Sequence, residues 1–176
     1  GNIRDLTIRV AQNPAMLYFL DAQYNVKGAA NENFAREVME LFTMGVGNYS
    51  EKDVREGARA FTGWYFDGLS FKMDAAKHDD APKTFLGRTG NFDGVDALKI
   101  IFDQPVTAEY LAGKIYRFLV RDDLSQALKQ KLGAVLRDGG YEIKPLLTAI
   151  LSSKDFYSQA SYGAHIKGPV EHMVAM

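Results

Sequence analysis

Residues 31–64 read NENFAREVMELFTMGVGNYSEKDVREGARAFTGW. This pattern dictates two helices joined by a glycine-rich turn. Asn31 is a residue type that caps a helix start, and Glu32 and Glu37 favour the N-terminal end of the first helix. Phe34, Val38, Leu41 and Phe42 recur at helical spacing and define one apolar face. Gly45 suits the left-handed position just past a helix end. Ser50, with Asp53 three residues on, is a near capping box for a second helix. Val54, Ala58 and Phe61 form the inner face of that helix. Gly57 and Gly63 leave room for a close neighbour, at some cost in helix propensity.

Upstream, Ile3, Leu6, Ile8 and Val10 stand among charges in a modest helical pattern. Asn13-Pro14 then provides a cap followed by proline at the first helical position. The amide-rich stretch from Asn25 to Asn33, with Gly28, reads as a loop. Downstream, WYFDGLSFKM changes period around an Asp67-Gly68 turn and predicts a short hairpin over 64–73. Residues 75–94 read as a long ordered loop docked by Phe85 and Leu86, and loops of that length are usually functional or disordered. The remainder is helical: Val95, Leu98, Ile101 and Phe102 make one segment, Thr107 is expected to cap the next, and Ser125 a third closed by Gly139-Gly140. Ile143 to Leu151 is a short apolar helix, and Ser153 caps a final turn. The chain is therefore expected to be a single mainly α domain over 1–176. Its helices would pack as a multi-helix orthogonal or bundle-like array, with one small hairpin near residues 64–73.

The bulk composition bounds the function. In 176 residues, 21 basic and 22 acidic side chains give a net charge of −1, which argues against a dedicated nucleic-acid surface. No apolar run approaches the roughly 18 residues of a membrane span. The absence of cysteine removes disulfides, thiolate catalysis and cysteine metal sites together. The chain begins at Gly1 and ends at Met176 inside a helical pattern, PVEHMVAM, so a piece of a longer protein is expected.

The 31–64 stretch resembles the signature of the bacterial family known as domain of unknown function 1800. Three later pieces agree with that family in order: His78-Asp79 with Lys83-Thr84-Phe85-Leu86-Gly87, the segment Pro105 to Phe118, and Lys167-Gly168-Pro169-Val170-Glu171. The resemblance implies an exported bacterial protein, periplasmic or extracellular, and full-length members much longer than this chain. It implies no reaction.

Candidate chemistry centres on ionisable clusters. Helical phase puts Glu37 at the edge of the apolar face. Arg36 and Glu40 share the polar side, and Arg55, Arg59 and Thr62 form one row on the second helix. In an antiparallel hairpin of helices, Arg55 or Arg59 reaches Glu37 or Glu40. That arrangement is either an acid–base or anion-binding site, or an ion network that fixes how the helices cross. Asn31, Glu32 and Asn33 either bind a ligand or cap the helix and tie down the loop. His78, Asp79 and Asp80, beside Lys77 and Lys83, suit a general base or a metal ligand set. Histidine with carboxylates fits zinc, iron or manganese, and carboxylates alone fit calcium or magnesium, but the spacing matches no metal motif. Alternatively His78 is a loop residue bonded to backbone. His165 and His172 flank the C-terminal motif, where Pro169 reads as a first helical residue. Serine-nucleophile and phosphate-loop patterns are lacking, and Gly87-Arg88-Thr89-Gly90 reads as a turn. Trp64, Tyr65, Phe66 and Phe71 line an apolar or carbohydrate-binding groove, or belong to the core.

Two functions stay open at this level. One is a hydrolase-like or metal-assisted enzyme, with Glu37, His78 and Asp79 as catalytic groups and Asn31, Glu40, Arg55, Arg59, Trp64 and Lys83 as ligand-binding groups. The other is a non-enzymatic envelope or surface module that binds a partner protein or a glycan.

Overall fold

The computed structural model describes every residue except His165. Nine α-helices occur among the described residues: α1 Ile3–Ala11, α2 Pro14–Phe19, α3 Asn33–Glu37, α4 Glu51–Ala60, α5 Gly94–Asp103, α6 Pro105–Leu119, α7 Gln126–Asp138, α8 Ile143–Leu151 and α9 Pro169–Val174. A π-turn, Val38–Thr43, continues α3 directly. Two small antiparallel hairpins complete the chain: β1 Trp64–Asp67 with β2 Ser70–Met73, and β3 Lys83–Phe85 with β4 Arg88–Gly90. No helix among the described residues is long and apolar enough to cross a membrane.

Local chemistry sets most of these boundaries. Ser50 and Asp53 form a reciprocal capping box at α4, which satisfies two of the otherwise orphaned N–H groups at the helix start. Ser125 caps α7 and Asn13 caps α2 ahead of Pro14. Gly45 comes just after the π-turn at φ 82°, and a Cβ there would sit 2.7 Å from the Tyr110 ring. Glu171 accepts the Gly168 N–H at 2.8 Å and Pro169 opens α9. His172 is exposed in that helix, and His165 lies outside the described residues.

Four expectations need correction. Asn31 is not the cap residue of α3, which begins after Glu32. Instead its side chain accepts the Asn33 N–H at 2.9 Å in an Asx turn just ahead of the helix. Thr107 lies inside α6, buried, with its hydroxyl on the Ile101 carbonyl at 2.6 Å, because Pro105 already starts the helix. The first hairpin turns on Gly68-Leu69, since Asp67 pairs with Ser70. Residues 75–94 are not a loop throughout. Leu86 and Gly87, at φ 47° and 80°, make the tight turn of the second hairpin.

The core has two lobes. Leu17, Phe34, Val38, Val54, Phe61, Trp64, Phe85, Leu98 and Ile101 anchor the first. Phe102, Tyr116, Leu136, Tyr141, Leu146 and Ile150 anchor the second. The aromatic ladder Phe34, Phe61, Trp64 and Phe71 runs edge to face, with the Phe61–Trp64 and Trp64–Phe71 centroids each 5.1 Å apart. Gly94 makes this ladder possible, because a Cβ there would lie 2.3 Å from the Trp64 ring. Within the second lobe, the Tyr141 hydroxyl donates to the Phe102 carbonyl.

Candidate functional site

The charged end of α4 gathers four of the residues singled out from sequence, Arg59, His78, Asp79 and Lys83. Gly63 makes the gathering possible. It takes φ 82°, and a Cβ there would lie 2.5 Å from the Asp74 carbonyl oxygen and 3.2 Å from the His78 nitrogen. Only glycine tolerates both the backbone conformation and that approach. The loop carrying His78 and Asp79 is thereby drawn against the end of α4.

Thr62, at the centre of this knot, is fully buried. Its hydroxyl donates to the Arg59 carbonyl at 2.6 Å and accepts the Asp79 N–H at 2.8 Å. The His78 ring is buried and places Nδ1 2.9 Å from the Thr62 carbonyl oxygen. A carbonyl only accepts, so Nδ1 carries the proton and Nε2 holds the lone pair in the neutral ring. Arg59 donates from Nε to Asp79 at 2.7 Å and from Nη1 to Glu56 at 3.0 Å. The hydrogen bond from Arg59, helped by the Ala81 N–H, outweighs burial and brings the Asp79 carboxyl down to about 2.

Lys83 is 1% exposed. Its ammonium donates to the Asp79 and Ala81 carbonyls and to the Asn91 side chain, which occupies all three of its N–H groups. Burial pushes this amine below its usual range. Asp53 and Glu56, one turn apart on α4, accept the N–H groups of Leu86 and Thr84 at 2.8 Å each. The helix therefore replaces a neighbouring strand along β3, while the Phe85 ring packs 3.1 Å from where a Gly57 Cβ would stand.

The anticipated link between the two helices is made by other residues. Arg59 pairs with Asp79 and Glu56, and not with Glu37 or Glu40. Ala35 faces α4, packing near Gly57. Glu37 lies two residues on, roughly 200° round the helix, and so points away from α4. Arg36 makes the actual interhelix pair, with Glu51 at 2.7 Å and with Glu32 on its own helix at 3.1 Å. Glu40 accepts the Tyr49 hydroxyl at 3.0 Å. Burial, reinforced by that bond, pushes the Tyr49 phenol up to about 12. Arg55 is exposed on the outer side of α4, and Glu37 is half-buried. No hydrogen bond or ion pair among the described residues joins Glu37 to His78. Trp64 is 3% exposed inside the aromatic ladder, so its ring does not present its face as a sugar platform, and Phe71 is half-buried against it. No three histidine or carboxylate groups among the described residues come together as metal ligands.

Two features escaped the sequence reading. Asn25 is a buried amide that donates to the Ala58 carbonyl and accepts the Asn31 N–H, at 2.8 and 2.9 Å. Its partners lie 33 and 6 residues away, beyond any local signal. The second feature is an apolar groove between α1, α2 and the π-turn. It has a volume of about 160 Å³ and is lined by residues that include Leu6, Val10, Met16, Phe34, Val38 and Phe42. A wider trough of about 570 Å³ continues past Phe42 to Leu111, Lys114 and Ile115 on α6.

The π-turn explains why Phe42 belongs to this groove and not to the core. Its wider ring closes with Met44 N–H on the Met39 carbonyl at 2.8 Å. The extra residue rotates the end of the segment out of the α-helical phase, which leaves Leu41 and Phe42 at 48% and 37% exposure. The freed Leu41 carbonyl is taken by Lys114 at 3.0 Å and Tyr110 at 3.3 Å.

Residues 1–176, the whole chain, match the family described as "Protein of unknown function (DUF1800)". The chain belongs to this family. No curated protein and no solved structure matches it. In this DUF1800 chain, three of the pieces that carry the family resemblance, Asn31 to Trp64, His78-Asp79 and Lys83 to Gly87, meet in the knot around Thr62, while Pro105 to Phe118 and Lys167 to Glu171 lie apart from it. Their polar atoms are spent largely on one another and on backbone.

Proposed function

We propose that this DUF1800 chain is a protein-docking module, and that its working surface is the apolar groove beside α1. The observation that carries this reading is the outward presentation of Leu6, Val10 and Phe42, at 59%, 41% and 37% exposure, around a formed cavity. Contiguous exposed apolar surface of this kind marks interaction sites. Thr7 is the only polar side chain among the residues lining the cavity. A glycan would need several hydrogen-bonding groups at that position, whereas an apolar anchor from a polypeptide needs none. The charged knot at the end of α4 supports the same reading from the other side. Arg59, Asp79 and Lys83 have their bonding capacity committed within the chain, as structural groups do. The resemblance-based expectation of export puts the partner in the bacterial envelope.

The test is site-specific photocrosslinking in the producing cell, from a photoreactive side chain at position 42 and, as a control, at position 55 on the exposed charged face. The expected result is a discrete crosslinked species from position 42, absent from position 55 and lost in a Leu6→Glu background. Equal crosslinking from both positions, or none from position 42, overturns the reading. Partner binding that survives Leu6→Glu but fails in His78→Ala or Glu37→Gln would move function to the charged residues.

A further inference from the structure

α1 is apolar on two opposite sides. Ala11 is 4% exposed, and Ile8 packs against the first core lobe. Leu6 and Val10 each stand about 160° from Ile8 around the helix axis, and they are exposed. The polar residues of the exposed side are confined to one flank, where Asp5 and Arg9 are both exposed and make no ion pair with a described residue. A helix with an ordinary solvent side would carry charge where Leu6 and Val10 stand. An apolar ridge with one acidic and one basic residue spaced along a single edge is complementary to itself.

We propose that the outer face of α1 pairs with the same face of a second copy of this chain, the two helices antiparallel about a two-fold axis. This names the partner for the docking surface above and rests on that reading. Two-fold symmetry brings the same flank of both helices together and reverses their direction. Asp5 of each chain therefore meets Arg9 of the other, and two reciprocal ion pairs form. Leu6 and Val10 fill the centre. Phe42, on the opposite edge of the groove, widens the contact. Ile8 faces the core on the side of α1 opposite Leu6 and Val10, and Phe34, Val38 and Phe42 of the same chain wall the groove beside them. Isologous contacts of this type are the commonest route to soluble homo-oligomers.

Light scattering of the purified protein across a concentration series tests this directly. The wild type is expected to pass from monomer to dimer as concentration rises. Asp5→Arg or Arg9→Asp alone places like charges opposite each other and weakens pairing by roughly tenfold. Salt reduces that effect. The double variant Asp5→Arg/Arg9→Asp restores the pairing, because the exchanged charges meet again. Leu6→Glu abolishes it, with circular dichroism unchanged. A wild type that stays monomeric throughout overturns the proposal, as do single reversals without effect or a double variant that fails to restore pairing. A monomer that still crosslinks from position 42 to a different protein defeats self-pairing alone. A monomer without any crosslink from position 42 defeats the docking reading as well.

Discussion

The end of α4 and the outer face of α1 are built on opposite terms. Around Arg59 and Lys83, polar side chains are drawn inward and joined to carboxylates, amides and backbone carbonyls of the same chain. Along α1, side chains that water disfavours are turned outward. The first region has spent its interactions on the fold and the second has not. On the proposed docking reading, density of charge is therefore a poor guide to where this protein meets other molecules. An ion network satisfied internally fixes which loop packs on which helix. An unspent apolar ridge still has free energy to gain from contact.

This contrast can be broken from either side. Trp64 belongs wholly to the fold. Trp64→Ala is expected to cost about 3–5 kcal/mol in urea unfolding, as large aromatic deletions in a core do. A loss below about 1 kcal/mol would mean that the ladder is not packed as described. Arg59→Met leaves the Asp79 and Glu56 carboxylates, 14% and 17% exposed, without their shared partner. The expected loss is about 2–3 kcal/mol, lowered from the fully buried case by this residual access to water.

The third effect is a pH dependence. Asp79 is held near 2 in the folded protein, chiefly by the hydrogen bond from Arg59, against about 3.9 in an unfolded chain. A depressed carboxyl contributes stability that is fully present above its unfolded value and is lost as pH falls through the folded value. The window therefore runs from about pH 4 down to about pH 2, and its size is about 2.5 kcal/mol. Unfolding curves across that window should flatten in Asp79→Asn, and an unchanged slope would remove Asp79 as their source. The smallest effect belongs to α1. Leu6→Glu should change the stability of the monomer by less than about 0.5 kcal/mol, as exposed substitutions do, while abolishing association.

Much of the frame was legible in the sequence. The capping box at Ser50 and Asp53, proline at the start of α2, and the left-handed glycine after the π-turn are local features. Local rules find them because cause and effect lie within a few residues. The second hairpin was not legible. Its strands have three residues each, too short to show alternation. Its outer hydrogen bonds go to Asp53 and Glu56, 33 and 28 residues earlier. The π-turn was hidden for a similar reason. The carbonyl it frees is held by Lys114 and Tyr110, far along the chain.

The candidate site divides in the same way. That Arg59, His78, Asp79 and Lys83 share a neighbourhood was readable as a cluster of unlike charges. That Arg59 turns to Asp79 and away from Glu37 depends on helix rotation and on Gly63 admitting the loop. Leu6 and Val10 fitted a helical pattern, yet periodicity alone does not say which of two apolar sides is covered. The groove became visible only once the π-turn had moved Phe42 outward.

The division between a spent knot and an unspent ridge is tested most directly by one paired measurement, the urea unfolding free energies of Arg59→Met and Leu6→Glu at a protein concentration low enough for the wild type to be monomeric. A loss of about 2–3 kcal/mol is expected for Arg59→Met and less than about 0.5 kcal/mol for Leu6→Glu. Equal losses, or a larger loss for Leu6→Glu, would contradict that division.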